Sequence, residues 1–530
     1  MNWPFIRNVA TLVLSILLFS FFTSIGWVEL IDDAYIYFRY AYNLAHGYGY
    51  VYNLGQNVEA VTSVTWTFLL TITAFFSVPP EISAKIFGYL CGVAIIILLW
   101  KELRDKNISP IIIFFVLILF VTNRNYNASI MLGLETGLYS LLLLLFYLTA
   151  KRSAKSIKHQ FIFSGIGLLL FLTRPESALI FLMIFLGLII INFDDSEPPT
   201  VALTVLIVGA ALISFLRYSV FGVYLPNSVL SKSLVIESIS NLNILLPRIL
   251  HGSYYIALWL LSSLFLTIPA FLNIRDFLIE KSFSVFVAGS IILTGILVAL
   301  FNSGDWMPFS RLLTPYLPII TVLSAISIDR FVRENNWFSK IKINIIATSV
   351  ALLIGAYSLW VLLPITYFNY KPWAAGTCYE DAGSLLEPYL SQSTLIAPEA
   401  IGAIGFKLKE ITILDFFGLT EPYIAKNGTI PRAAYNMGKH NYQYTMARQP
   451  DLFFFHSNLG NHIPYLNKWE YSTKYITYNL MNEKGQLTVG IKNSLDSILV
   501  PVLQKGFDLQ QIDTKNIIRN PAADWPLGEK

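Results

Sequence analysis

Long apolar runs recur through the first 370 residues, and they constrain the fold of this chain more than any other feature. They lie near 9–26, 82–100, 108–122, 131–149, 160–173, 177–192, 200–220, 254–272, 283–301, 311–328 and 343–363. A helix that crosses lipid needs roughly 20 apolar residues, so about eleven transmembrane helices are expected, some of them short or tilted. With 55% hydrophobic and only 13% charged residues, the chain is too apolar for a soluble protein. It reads as a polytopic α-helical membrane protein. The first run has no small-x-small cleavage site and is read as a retained span rather than a signal peptide.

At Pro372 the sequence changes character and becomes richer in charge, Asn and Tyr. Residues 1–370 are therefore read as the transmembrane domain, and 371–530 as a C-terminal soluble domain. Short β-like runs at 393–397 and 451–455, broken by Gly and Pro, suit a mixed α/β module. Cys91 lies in an apolar run and Cys378 far downstream in the tail, so both are read as bystanders. The formal charge of +4 comes from basic residues dispersed between spans, which argues against a nucleic-acid partner.

Orientation follows from the positive charges, because Lys and Arg collect in short cytoplasmic loops. Four basic clusters stand out: Lys101/Arg104/Lys106, Lys151/Arg152/Lys155/Lys158, Arg275/Lys281 and Arg330/Arg333/Lys340/Lys342. They share one side with Arg7 only if the short run 64–78 does not cross, so that run is expected to be a juxtamembrane helix. The polar, motif-like segments then all emerge on the outer face.

Those segments hold the candidate chemistry. Asp32 and Asp33 follow the first span, where two adjacent carboxylates are costly without a use. One reading is an N-cap for a helix from Ala34 to Ala45; the other is a pair in which one carboxylate takes a proton from an acceptor hydroxyl while its neighbour holds a cation or the sugar. Arg39 could pair with a carboxylate. Tyr35, Tyr37, Tyr40 and Tyr42 suit either an interfacial belt or a sugar-stacking platform. The sequence 46–49 should break the helix, and 53–57 should turn before Glu59. Glu135 and Glu176 sit near membrane depth, with Arg174 as an obvious local partner for Glu176. Asp305, between Gly304 and Trp306, suits a tight loop lining a pocket. Arg174, Lys232, Arg248, His251 and Arg311 are the outward cations that could hold a phosphate.

The order of motifs resembles that of the GT-C membrane glycosyltransferases: Asp-Asp-Ala-Tyr at 32–35, His-Gly-x-Gly at 46–49, Val-Glu-Ala at 58–60, Gly-Leu-Glu-Thr at 133–136, Thr-Arg-Pro-Glu at 173–176, Leu-Pro-Asn-Ser at 225–228 and Gly-Asp-Trp-Met-Pro at 304–308. Within them the motifs resemble the group of the mycobacterial terminal β-(1→2)-arabinofuranosyltransferase and its bacterial relatives. Tail segments 404–406 and 414–419 extend the likeness.

The resemblance implies inverting transfer of a sugar from a polyprenyl-phosphate donor to an envelope glycan or lipid acceptor. It implies a bacterial inner membrane, with active site and tail on the periplasmic face. Asp32 and Asp33 take the catalytic role; Glu135, Glu176 and Asp305 line the cleft; Lys232 and Arg311 meet the donor phosphate. Arg39, Glu59, Arg174, Asn227, His251 and Trp306 complete the expected substrate-binding set. Some members use a divalent cation, Mg or Mn, near the first-loop acid, so Asp32 or Asp33 would be its ligand. Residues 58–63 depart from the Glu-Gly-Tyr-Thr-Asn form of the mycobacterial enzymes, which leaves arabinofuranose, another pentose or a hexose open.

The physical logic agrees, since a phosphate leaving group needs little protonation and no nucleotide-binding fold. No Walker A motif is present, and no G-x-G-x-x-G follows a strand. A transporter or flippase of lipid-linked sugars would share the many spans but favours inverted repeats, of which none is visible. A glycan-binding scaffold would leave Asp32 and Asp33 unexplained.

Overall fold

The computed structural model describes residues 3–25, 27, 30–153, 155–191, 193, 199–232, 242–272, 281–305, 307, 309–334, 375–429, 439–455 and 468–514. They cluster into two compact units. One draws on Met1–Glu29, Ala84–Leu212 and Arg248–Tyr370, the other on Leu30–Ser83, Ile213–Pro247 and Lys371–Lys530.

The first unit is helical. Its helices include Pro80–Asp105, Pro110–Val121, Thr136–Ser153, Ile157–Thr173, Ser177–Ile190, Phe283–Phe301 and Leu317–Glu334. Aromatic side chains knit them together, with Phe146 and Phe163 stacked at 4.1 Å between ring centres. Leu182, Ile189 and Ile190 stay exposed on one helix, as lipid-facing residues do.

Among the described residues, four helices are long and apolar enough to cross a membrane, or up to six if each bent pair counts as one span. The expected eleven are not confirmed, for identifiable reasons. Helices Ile157–Thr173 and Ser177–Ile190 have 17 and 14 residues, a rise of about 25 and 21 Å against a hydrocarbon core of about 30 Å. The run 254–272 is not one straight span, because its helices meet at a bend of 101°. The run 343–363 lies outside the described residues.

In the second unit, helix Asp32–Ala45 packs beside helix Val64–Phe75. The latter has 12 residues and rises about 18 Å, less than a hydrocarbon core of about 30 Å. His46 closes the first helix, and Gly47 and Gly49 take φ of 81° and 91°, which breaks it where expected.

The tail builds a six-stranded sheet in the order β2-β1-β3-β5-β4-β6. Its strands are β1 Leu395–Pro398, β2 Thr412–Ile413, β3 Leu452–Phe455, β4 Tyr475–Asn482, β5 Gly485–Lys492 and β6 Asp508–Ile512. β1 is parallel to β2 and β3, and the remaining pairs are antiparallel. Both β-like runs of the sequence are strands, paired with each other in the register Ile396 to Leu452. All four residues of β3 are buried, as in a central strand covered on both faces. Asn482 sets the β4–β5 hairpin by accepting from the amides of Lys484 and Gly485 at 2.9 and 3.2 Å.

Candidate active site

Asp32 and Asp33 occupy the first turn of Asp32–Ala45, but neither caps it; Ile31 stands at the N-cap and makes no side-chain cap bond. Successive helical residues diverge by about 100°, so the two carboxylates have separate surroundings. The Asp32 oxygens each accept a backbone amide at 2.8 Å, Oδ2 from Gly402 and Oδ1 from Ala403, at the start of helix Gly402–Lys407. This approach requires glycine: a Cβ on Gly402 would lie 1.8 Å from the Asp32 carbonyl oxygen. Burial raises the Asp32 carboxyl to about 6; the Ala403 amide opposes the rise and the charge of Asp33 adds to it.

Asp33 faces a different partner. Its Oδ2 lies 3.5 Å from Lys232 Nζ, and both side chains keep about a fifth of their surface, 21% and 23%. Lys232 ends the short helix Asn227–Lys232, which is held to the tail. Asn227 Nδ2 donates to the carbonyls of Gly418 and Leu419 at 2.8 and 3.0 Å, and the Ser231 hydroxyl donates to that of Phe417. An ammonium has three donors, so Lys232 can hold Asp33 and an incoming anion together.

Glu59 is buried against Arg217, and the Asn227 amide donates to its carbonyl at 2.7 Å. Burial raises the Glu59 carboxyl, while Arg217 opposes the shift. Arg217 was missed in the sequence, although an Arg near the end of an apolar helix is a signal that could have found it.

Among the described residues Arg39 meets no carboxylate. Fully buried, it donates to the carbonyls of Gly405, Lys409 and Ile411 at 2.8, 3.1 and 2.8 Å, and stacks on the Tyr52 ring at 4.3 Å. Tyr35, Tyr37 and Tyr40 are buried and so present neither a belt nor an open platform, and Tyr40 accepts the Ala60 amide at 3.0 Å, whereas Tyr42 is half-buried and stacks on His46 at 3.9 Å. Asp415 is a structural acceptor, bonded by the amides of Phe417 and Thr420 at 2.8 and 2.6 Å.

The helical unit contains a second polar group. Arg174 bridges Glu135 at 2.8 Å and Glu176 at 3.0 Å, and its guanidinium lies 5.5 Å from the centre of the Tyr139 ring. Asp305 pairs with Arg311 at 3.0 Å in a tight loop where Ser303, Gly304, Phe309 and Ser310 all have positive φ. His251 is exposed on helix Leu242–Ser262, and Arg248 on the same helix donates to the Phe301 carbonyl at 3.1 Å. Trp306 lies outside the described residues.

Among the described residues, no three His, Cys, Asp or Glu side chains form a metal-binding group. The charged set at Asp33 is one carboxylate beside one ammonium, which fits a divalent cation poorly.

A family model described as a domain of unknown function, DUF8728, matches residues 370–490. No curated protein matches the sequence significantly. Solved structures show a similar fold. The oligosaccharyltransferase AglB from Archaeoglobus fulgidus, in complex with an inhibitory peptide and a dolichol-phosphate, matches with a TM-score of 0.53 at 12% identity over 93% of this chain and 75% of its own. ArnT from Cupriavidus metallidurans, bound to undecaprenyl phosphate, matches with a TM-score of 0.54 at 10% identity over 92% of this chain and 98% of its own. At these identities the likeness concerns architecture alone: the chain has a fold similar to those of AglB and ArnT, with several apolar helices long enough to cross a membrane and a C-terminal sheet domain.

Proposed function

We propose that this protein is an inverting glycosyltransferase that moves a sugar from a polyprenyl-phosphate donor to an envelope glycan or lipid. The reaction would take place on the extracytoplasmic face of a bacterial inner membrane. The observation that carries the reading is the Asp33–Lys232 pair, a carboxylate and an ammonium 3.5 Å apart and both reachable from solvent. Asp33 takes the proton of the acceptor hydroxyl as its oxygen attacks the anomeric carbon. The bond from that carbon to the phosphate oxygen breaks, and polyprenyl phosphate leaves with the electron pair. Lys232 faces the charge that gathers on the phosphate. Asp32, with both oxygens occupied by amides, holds the helix start in place.

The bound dolichol-phosphate of AglB and undecaprenyl phosphate of ArnT support a lipid-linked donor. A pentose such as arabinofuranose remains the reading of the donor sugar that rests on the motif order, with a hexose as its alternative. The test is to incubate purified protein with a panel of polyprenyl-phosphoryl sugars and an acceptor extract, and to measure released polyprenyl phosphate with and without EDTA. Acceptor-dependent release from one donor is expected. Release from none, with intact lipid-linked sugar carried across a vesicle membrane instead, would make the protein a flippase. Full activity in EDTA supports the metal-free route; loss of activity restored by Mg or Mn assigns the ion to this site.

A further inference from the structure

Three basic clusters that are distant in the sequence meet in the helical unit around one cavity of about 450 Å³. Lys106, Lys151, Arg330 and Arg333 line it with Asp329 and Glu334, an excess of two positive charges. Ser282 and Ser284, just beyond Lys281 of the remaining cluster, add hydroxyls to the same wall. The cations are not equivalent. Arg333 is tied to Asp329 at 2.6 Å and to the Asn107 carbonyl at 2.7 Å, so it fixes the rim. Asp329 in turn accepts the Ser109 amide at 3.0 Å, which spends the acidic side chain on structure. Lys151 stays exposed at the cavity mouth.

The rest of the wall is formed by Ile108, Val285, Leu323 and Ile326 together with Tyr147. Phe331, beside Arg330 on the same helix, turns outward and is 56% exposed. A basic rim over an apolar wall, next to an exposed aromatic, matches an amphiphile with an anionic head better than a soluble anion. The same clusters carry the positive charge expected of cytoplasmic loops, which favours a lipid of the cytoplasmic leaflet.

We propose that this cavity binds the phosphate head group of an anionic phospholipid from the cytoplasmic leaflet. The cations hold the phosphate, and the apolar wall takes the first part of an acyl chain. This goes beyond glycosyl transfer and does not depend on it.

The experiment titrates phosphatidylglycerol into the full chain in neutral detergent and reads the bound lipid by native mass spectrometry, with phosphatidylcholine and inorganic phosphate as comparators. Phosphatidylglycerol should bind in preference to phosphatidylcholine, and inorganic phosphate should not displace it. The Lys151→Gln/Arg330→Gln double variant should bind it roughly 30-fold more weakly, from the loss of two cations at a membrane surface. Glu334→Gln should bind it more tightly, which keeps the test open if the double variant misfolds. Equal binding by wild type and both variants, or no preference over phosphatidylcholine, would overturn the proposal. Displacement by inorganic phosphate would overturn its lipid part.

Discussion

The carboxylate of Asp33 lies 3.5 Å from the ammonium of Lys232, whereas both oxygens of its neighbour Asp32 are held by the amides of Gly402 and Ala403. Adjacent residues of one type thus have different partners, and substitution should separate the roles proposed for them. Asp33→Asn is expected to cut transfer about a hundredfold or more with its unfolding temperature unchanged. Asp32→Asn replaces one acceptor oxygen with an NH2 group facing an amide, and should lower stability by roughly 1–3 kcal/mol. Paired assays of polyprenyl phosphate release and thermal unfolding check both. A fully active Asp33→Asn protein beside a dead but stable Asp32→Asn protein would move the base to Asp32.

Lys232 should act on the donor more than on the fold, because its pair with Asp33 is partly exposed and such pairs add little stability. Lys232→Met should lower kcat/KM for the donor by about tenfold or more, equivalent to about 1.4 kcal/mol of transition-state stabilisation. Lys232→Arg keeps the charge and should recover part of that loss. Steady-state kinetics at varied donor concentration make the comparison, and equal values for wild type and Lys232→Met would remove Lys232 from the phosphate site.

The pH dependence of stability offers a separate check on the tail. Burial raises the Asp415 carboxyl from 3.8 to about 6, against the pull of the Thr420 and Phe417 amides. The folded state therefore keeps a proton that the unfolded chain releases near pH 4. The stabilising contribution is complete below about 3.8 and is lost as pH rises through about 6. Asp32 contributes a slope of the same sign. Asp415→Asn should flatten part of the fall in unfolding temperature between pH 4 and pH 7, measured in one buffer series. An unchanged slope would mean that Asp415 titrates normally in the folded protein.

Much of this was legible in the sequence because it follows from local composition. Helix Asp32–Ala45, its break at 46–49 and the two β-like runs appear where apolar patterning and glycine place them. The convergence of Lys106, Lys151 and Arg330 on one cavity agrees with placing their loops on one side of the membrane. The partners of charged residues were less legible, because they depend on contacts between distant segments. Arg39 carries the charge expected of a carboxylate partner, yet it is spent on carbonyls of 405–411, more than 360 residues away. The Asp32 clamp needs Gly402 in the tail, which no spacing within the first loop could indicate. The bend between Leu245–Ser262 and Leu264–Phe271 is likewise hidden within one apolar run.

Arg174, bridged to Glu135 and Glu176, gives the most demanding test of the helical unit. The group holds two carboxylates against one guanidinium, and Glu135 Oε2 is buried with no hydrogen-bond partner among the described residues. Arg174→Met would leave two carboxylates without their shared cation, for which the expected cost is about 3–5 kcal/mol. Arg174→Lys keeps the charge but cannot fork between both partners, so an intermediate loss is expected. Glu135→Gln removes the surplus negative charge and should be tolerated best of the three. Thermal unfolding in detergent should rank the variants in that order. Wild-type stability for Arg174→Met would show that the carboxylates are held by something other than Arg174, and that the triad is not what joins these helices.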